Sequence, residues 1–173
     1  EAIVRCSFGG FEFAFFAYDY YLNKDWYVKG AKLRVELAML GLKVQKAKTG
    51  FSFEGQQAID FLAKMGQSPN YDSEGNVEPV HFSTANLVAF LPTEEKCPDE
   101  AEFQSPTSGC VDACLFNIDF YKTYVTIHRD DEDKRMNMRV PLFFRKDMIP
   151  QFHSGEPICG WGWLIGQSMS EDE

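Results

Sequence analysis

The sequence lacks long apolar runs and is poor in histidine. No uninterrupted apolar stretch approaches the roughly 18 residues that a membrane-spanning helix needs, so we expect no such helix and no membrane partner. The three histidines, His81, His128 and His153, leave few candidates for acid–base chemistry near neutral pH. No G-x-S-x-G, H-E-x-x-H, Walker or dinucleotide-binding motif occurs. These absences favour a protein that is not an enzyme.

Basic residues are also in the minority. The 173 residues include 26 acidic and 17 basic side chains, which give a formal net charge of −9. A duplex-DNA partner is therefore not expected, because binding to duplex DNA depends on neutralising phosphates. The length fits one domain of ordinary size or two very small ones, and the hydrophobic content of 45% and the charged content of 25% are typical of a soluble globular protein.

The five cysteines form an odd set, whereas secreted disulfide scaffolds usually have an even number. The count therefore favours a reducing compartment, and we expect a cytoplasmic protein. Zinc prefers about four nitrogen or sulfur ligands, and one candidate set is Cys97, Cys110, Cys114 and His81. A disulfide between loop cysteines is another possibility. Unpaired thiols and no cofactor are the interpretation that we favour.

The acidity of the chain is concentrated in its middle. Residues 67–116 carry nine acidic side chains and one lysine, a net charge of −8, and they also contain five of the eight prolines. Residues 1–66 have a net charge of +2 and residues 117–173 a net charge of −3. We predict a single domain, 1–173, and the alternative is two similar β-rich halves, 1–66 and 117–173, which the acidic, loop-rich segment 67–116 joins.

Alternation of apolar and polar residues predicts strands for most of the chain. The predicted strands are 11–18, 31–37, 80–82, 87–91, 120–128, 136–145 and 157–165, and the best helix is 54–65. Val125 and Ile127 are expected on one face of a hairpin, opposite Val140, Leu142 and Phe144. The predicted fold is mainly β, an antiparallel barrel or sheet with one helix.

One pattern occurs twice. A strand, a turn, a glycine and a second strand follow one another at 11–37, with Gly30, and again at 138–165, with Gly155, Gly160 and Gly166. The pattern resembles the middle of an oligonucleotide/oligosaccharide-binding (OB) barrel, where a glycine lets a strand bend sharply. The resemblance implies a small β-barrel that binds single-stranded nucleic acid or a sugar chain.

An acidic surface that engages a basic protein partner is the function that the charge distribution favours. Concentrated charge of one sign speeds association with partners of the opposite sign. Such a protein would be a non-catalytic inhibitor, an immunity protein or an adaptor. The candidate partner-binding residues are Glu94, Glu95, Asp99, Glu100 and Glu102.

The alternative function is an OB-like module that binds single-stranded nucleic acid or a sugar chain. Exposed aromatic side chains between lysines and arginines can stack on bases, although ten aromatics within residues 8–27 are also what a core would contain. The candidate residues are Phe13, Phe15, Tyr18, Trp26, Lys29, Lys32 and Arg34. A second alternative is an enzyme that uses a cysteine with one of the histidines.

Overall fold

A computed structural model describes residues 2–93 and 97–169, and the chain divides into two compact units. Unit 1 comprises residues 1–47 and 87–173, and unit 2 comprises residues 48–86. The strands are β1 (Ile3–Phe8), β2 (Phe11–Ala17), β3 (Val35–Lys46), β4 (Gly50–Phe53), β5 (Val80–Ser83), β6 (Ala89–Pro92), β7 (Glu100–Leu115), β8 (Ile118–His128), β9 (Met138–Arg145) and β10 (Pro157–Ser168). The helices are α1 (Tyr20–Asn23) and α2 (Gln56–Lys64). None of the helices within these described ranges is long and apolar enough to span a membrane.

Unit 1 is built on a five-stranded barrel. Its strands form one sheet in the order β1-β2-β10-β3-β9-β8-β7-β6, and β10 also pairs with β7. This second pairing closes β10, β3, β9, β8 and β7 into the barrel. The β3–β9 pairing is parallel and the other four barrel pairings are antiparallel. The mainly β fold class is therefore confirmed, with a barrel that is mixed rather than wholly antiparallel.

The barrel core follows the alternation expected of the β8–β9 hairpin. Val125 and Ile127 of β8 are buried, as are Val140, Leu142 and Phe144 of β9. The predicted shared face of this hairpin is thus confirmed. Other strands contribute the remaining core side chains, which include Phe13, Phe15, Met39, Val44, Phe103, Ile158 and Leu164.

Glycines allow β10 to lie close to β3. A Cβ atom at Gly160 would overlap the carbonyl oxygen of Lys43, so only glycine fits at this approach of two backbones. The register between β10 and β3 shifts at Trp161 and Gly162, as in a β-bulge. Along the same stretch the other edge of β10 pairs with β7. Gly160 and Gly162 therefore lie in the part of β10 that pairs with a strand on each edge.

Several boundaries differ from the sequence prediction, and strand β1 was not predicted. Two of the differences are large. The strand predicted at 31–37 begins only at Val35, because its partner β10 ends at Ser168, which pairs with Val35. The prediction of long loops within 67–116 is wrong for Glu100–Leu115, which form strand β7. Here the acidic side chain of Glu102 lies on the outer face of the strand, while Ala101 and Phe103 point inward and are buried. Acidity in this stretch marks a solvated strand face, not a loop.

Unit 2 consists of the β4–β5 pair and helix α2. The strands pair antiparallel from Gly50 opposite Ser83 to Phe53 opposite Val80. Helix α2 confirms the helix predicted at 54–65 and buries Ala58 and Leu62. The rings of Phe53 and Phe61 stack with their centroids 4.4 Å apart, which joins the helix to the strand pair through aromatic packing.

Candidate functional site

The outer face of the β8–β9 hairpin alternates aromatic and cationic side chains. Thr123, Val125 and Ile127 of β8 are buried, so the residues between them point outward. In the register of the hairpin, Lys122 lies opposite Phe143, and two positions further along β8 Tyr124 lies opposite Pro141. The flanking pairs are Thr126 with Arg139 and Phe120 with Arg145. We call the set Phe120, Lys122, Tyr124, Arg139, Phe143 and Arg145 the β8–β9 face.

Cations of this face lie over its aromatic rings. The Lys122 ammonium is 6.0 Å from the centroid of the Tyr124 ring and 5.5 Å from that of Phe143. The Arg139 guanidinium lies 5.7 Å from the Tyr124 centroid, and it also donates a hydrogen bond to Ser108 Oγ. Tyr124 nevertheless stays 41% exposed. The face therefore presents an accessible ring with two positive charges held beside it.

Ion pairs at one end of the face leave its centre positive. Arg145 pairs with Asp147, and Lys146 pairs with Asp112 at 2.9 Å. The hydrogen bond with Asp112 raises the pKa of Lys146 above its usual value. Within the described part of the chain, neither Lys122 nor Arg139 takes part in an ion pair. Lys122 and Arg139 thus make the centre of the β8–β9 face positive, although the protein as a whole is acidic.

The nucleic-acid residues suggested by the sequence do not share one face. Phe13 and Phe15 are buried, because their side chains pack in the main hydrophobic core of unit 1. Their rings are not available for stacking. Tyr18 and Trp26 are exposed, and so are Lys29, Lys32 and Arg34, which precede β3 outside any helix or strand.

A buried carboxylate anchors the turn that carries Tyr18 and Trp26. The Asp19 carboxylate accepts hydrogen bonds from Tyr27 Oη at 2.5 Å, from Asn23 Nδ2 at 2.9 Å and from Ser168 Oγ at 2.6 Å. Burial raises the pKa of Asp19, but the hydrogen bonds from Asn23, Ser168 and Tyr27 outweigh it, so the pKa lies below its usual value. Burial and the bond to Asp19 raise the pKa of Tyr27 to about 12. Sequence reasoning did not single out this network.

The acidic residues proposed for partner binding have different environments. Glu94 and Glu95 lie outside the described residues. Asp99 is 8% exposed and accepts a hydrogen bond from Trp163 Nε1 at 2.6 Å. Glu100 is half-buried, and Glu102 is exposed on the outer face of β7. Asp99 thus holds the loop before β7 against strand β10. Of the three described residues, only Glu102 is exposed.

The cysteines are separate thiols. Cys6, Cys97, Cys110, Cys114 and Cys159 are all free. In residues 2–93 and 97–169, no three His, Cys, Asp or Glu side chains come together in a group that could hold a metal ion. His81, the fourth suggested ligand, lies in unit 2, where its ring nitrogen Nδ1 is 2.8 Å from Ser52 Oγ. Burial raises the pKa of the Cys6 and Cys110 thiols, which disfavours the thiolate that a nucleophilic cysteine needs.

The chain matches no protein-family model, no curated protein and no solved structure. The chemistry of the β8–β9 face must therefore be argued from its own residues. Sequence reasoning identified the hairpin and its inner face but missed this outer face. The signal was present in the same alternation, because Phe120, Lys122 and Tyr124 occupy every second position between the buried residues.

Proposed function

We propose that the protein is a non-catalytic module that binds single-stranded nucleic acid through the β8–β9 face. The observation that carries the proposal is the group of three aromatic residues on the β8–β9 face, Phe120, Phe143 and Tyr124. Lys122 lies over the rings of Tyr124 and Phe143, and Arg139 lies over the ring of Tyr124. Aromatic side chains offer stacking surfaces to bases of any sequence, and cations near them attract the phosphate backbone. These are the two parts that such a module needs.

The spacing of the three rings suits an extended strand. Diagonal neighbours on an antiparallel pair lie about 7–8 Å apart, within reach of long side chains. Phe120, Phe143 and Tyr124 are related in this way, since Lys122 lies opposite Phe143 and separates the other two along β8. Successive bases of an unpaired strand could then stack on successive rings.

The order of the barrel strands adds support. In an OB barrel, strand 1 pairs with strands 2 and 4, and strand 3 runs parallel to strand 5. Here β7, β8, β9 and β10 occupy positions 1 to 4, and β3, which comes first in the chain, occupies position 5. In this correspondence the β8–β9 face is the strand 2–3 surface through which OB modules bind oligonucleotides. The order of the strands in this five-stranded mixed barrel therefore supports the proposal, although the first barrel strand in the chain takes the fifth position.

Fluorescence anisotropy with a labelled oligo-dT of about 12 nucleotides tests the proposal, since OB folds cover roughly 4–16 nucleotides. We expect saturable binding at low salt. Tyr124→Ala and Phe143→Ala should each weaken binding by about 1–3 kcal/mol, the usual effect of removing one stacking ring. Trp161→Ala is the matched control, because Trp161 is an exposed aromatic residue of β10, outside the β8–β9 face.

Two results would contradict the nucleic-acid proposal. One is the absence of binding by the unmodified protein at about 50 μM, a concentration far above the dissociation constants of most specific complexes. The other is an equal loss of affinity in Trp161→Ala and Tyr124→Ala, since the effect would then be unrelated to the β8–β9 face.

A basic protein partner for the acidic segment 67–116 is a second proposal. It rests on the segment's net charge of −8 and on the exposed carboxylate of Glu102. Titration with a lysine-rich peptide distinguishes the two proposals. Reversing the charge of Glu100 and Glu102 should weaken binding of the peptide and leave binding of oligo-dT in place, and unchanged peptide binding would remove the second proposal.

A further inference from the structure

Strand β1 is an edge strand of the sheet in unit 1. It pairs with β2 along one edge, from Ile3 opposite Phe16 to Phe8 opposite Phe11, and no other described strand pairs with its second edge. An unpaired edge presents backbone N–H and C=O groups with which a further strand can pair. The other end of the sheet is a poorer edge, because β6 is a strand of four residues that ends at Pro92, and proline has no N–H to donate.

A cavity of about 730 Å³ lies along β1. Its lining includes every residue of the strand, Ile3–Phe8, together with every residue of the segment 28–33, which lies outside any helix or strand. Neighbouring side chains of a strand point to opposite faces. Contact with all the residues of β1 therefore indicates a cavity that reaches the open edge of the strand and is not confined to one face. We call this cavity the β1 groove.

One face of the β1 groove is apolar. Val4 and Cys6 of β1 are half-buried and pack against the hydrophobic core, as do Tyr20, Tyr27 and Met138. All five of these residues line the groove. In a strand added beside β1, every second side chain would point toward this face. An apolar side chain at those positions would be removed from water.

The charged side chains that line the β1 groove are all basic. They are Arg5, Lys29 and Lys32, and the lining contains no aspartate or glutamate. None of the three cations forms an ion pair with a residue that the structure describes. Glu12 of β2 lies opposite Ser7 and outside the lining. This charge favours an acidic occupant and disfavours a second copy of the chain, which would bring the same cations to the groove.

We propose that the β1 groove binds an extended peptide in which apolar and acidic side chains alternate, and that this peptide adds a strand to the edge of β1. The backbones of the peptide and of β1 exchange hydrogen bonds, which provide affinity. The apolar side chains of the peptide lie on the face of Val4 and Cys6, and its carboxylates lie near Arg5, Lys29 and Lys32. The groove shares no residue with the β8–β9 face, so the proposal does not depend on nucleic-acid binding.

Fluorescence anisotropy with the labelled peptide Gly-Val-Glu-Val-Glu-Val-Gly tests the proposal. We expect saturable binding, which Arg5→Glu and Lys32→Glu should each weaken about tenfold by replacing attraction with repulsion. Lys24→Glu is the matched control, because it makes the same change at an exposed lysine outside the groove. The peptide with glutamine in place of glutamate should bind more weakly. No binding at about 1 mM, the limit of weak affinity, or an equal loss in Lys24→Glu would overturn the proposal.

The backbone pairing has a signature that charge alone cannot produce. We expect the peptide to slow hydrogen exchange at alternate amides of β1, measured by NMR, since only every second amide of a strand points to a given edge. N-methylation of alternate peptide bonds keeps the side chains and removes donors, so at least one of the two methylated registers should abolish binding. Undiminished binding in both registers would overturn the proposed strand pairing.

Two other occupants of the edge are distinguishable in the same assays. Displacement of the bound peptide by oligo-dT would assign the β1 groove to nucleic acid. A dimer of the unmodified protein in analytical ultracentrifugation that leaves no site for the peptide would assign the edge to a second copy. Either result would overturn the peptide proposal.

Discussion

Asp19 and Asp99 are two acidic residues that serve the interior of an acidic protein. Asp19 joins the 19–27 turn to the end of β10 through Ser168, and Asp99 binds the indole of Trp163. Both side chains are buried. Because a buried carboxylate is costly unless hydrogen bonds satisfy it, each of these residues depends on partners that are distant in sequence. The number of acidic residues in the sequence does not show that these two carboxylates are buried and hydrogen-bonded.

At this scale, we predict that Asp19→Ala destabilises the protein by about 3 kcal/mol at neutral pH, because the donors on Asn23, Tyr27 and Ser168 lose a charged acceptor. The matched control is Asp25→Ala, which removes an exposed carboxylate from the same turn and should change stability by less than about 0.5 kcal/mol. The free energy of unfolding in urea measures both changes.

The contribution of Asp19 should depend on pH. Its pKa lies below the usual value in the folded protein. The stabilisation is therefore complete above about pH 4, the pKa of an unfolded aspartate, and is lost as the pH falls through the lowered pKa. The difference in stability between the unmodified protein and Asp19→Ala should narrow below that pH. A difference that is constant from pH 7 to pH 3 would contradict the role given to the carboxylate.

Among the elements, β10 determines how the barrel closes. It pairs with β3 along one edge and with β7 along the other, and near its end it also pairs in parallel with β2. Gly160 lies in the stretch where both edges are occupied. The close approach of β10 to the Lys43 carbonyl makes this glycine a requirement for closure.

We predict that Gly160→Ala destabilises the protein by more than about 2 kcal/mol, because the new methyl group meets backbone that cannot move aside. Gly162→Ala is the comparison, since its methyl group would meet the side chain of Met39 at 2.5 Å. A flexible methionine can repack, so this change should cost less. Thermal unfolding of the two variants measures the difference, and equal losses would contradict the backbone clash at Gly160.

The sequence predicted some elements well and others poorly, for reasons that lie in the pairing of strands. The β8–β9 hairpin was predictable because both strands alternate and are neighbours in the chain. Strand β7 was missed because its outer face carries acidic and small polar residues. The start of β3 was misplaced because the length of a distant partner, β10, sets it. The alternation of apolar and polar residues within a segment does not show where pairing with a distant strand begins or ends.

At the scale of the whole molecule, the candidate site is a small positive region on a protein with a net charge of −9. Repulsion from the rest of the surface opposes phosphate binding, so binding must depend on the local cations Lys122 and Arg139 together with stacking. The sequence showed the net charge and the clusters of aromatic residues. It could not show which aromatic residues are exposed, because Phe13 and Phe15 become part of the core only through packing with residues distant in the chain, such as Leu142.

Photocrosslinking to an oligo-dT that contains 4-thiothymidine is the most direct test of the nucleic-acid proposal. Mass spectrometry of the digested complex identifies the crosslinked residues. Our account predicts crosslinks at Tyr124, Phe143 or Phe120, which are reduced when salt screens the backbone contacts of Lys122 and Arg139. Crosslinks confined to Tyr18 and Trp26, or none under conditions in which the oligonucleotide is saturating, would contradict the assignment of the β8–β9 face.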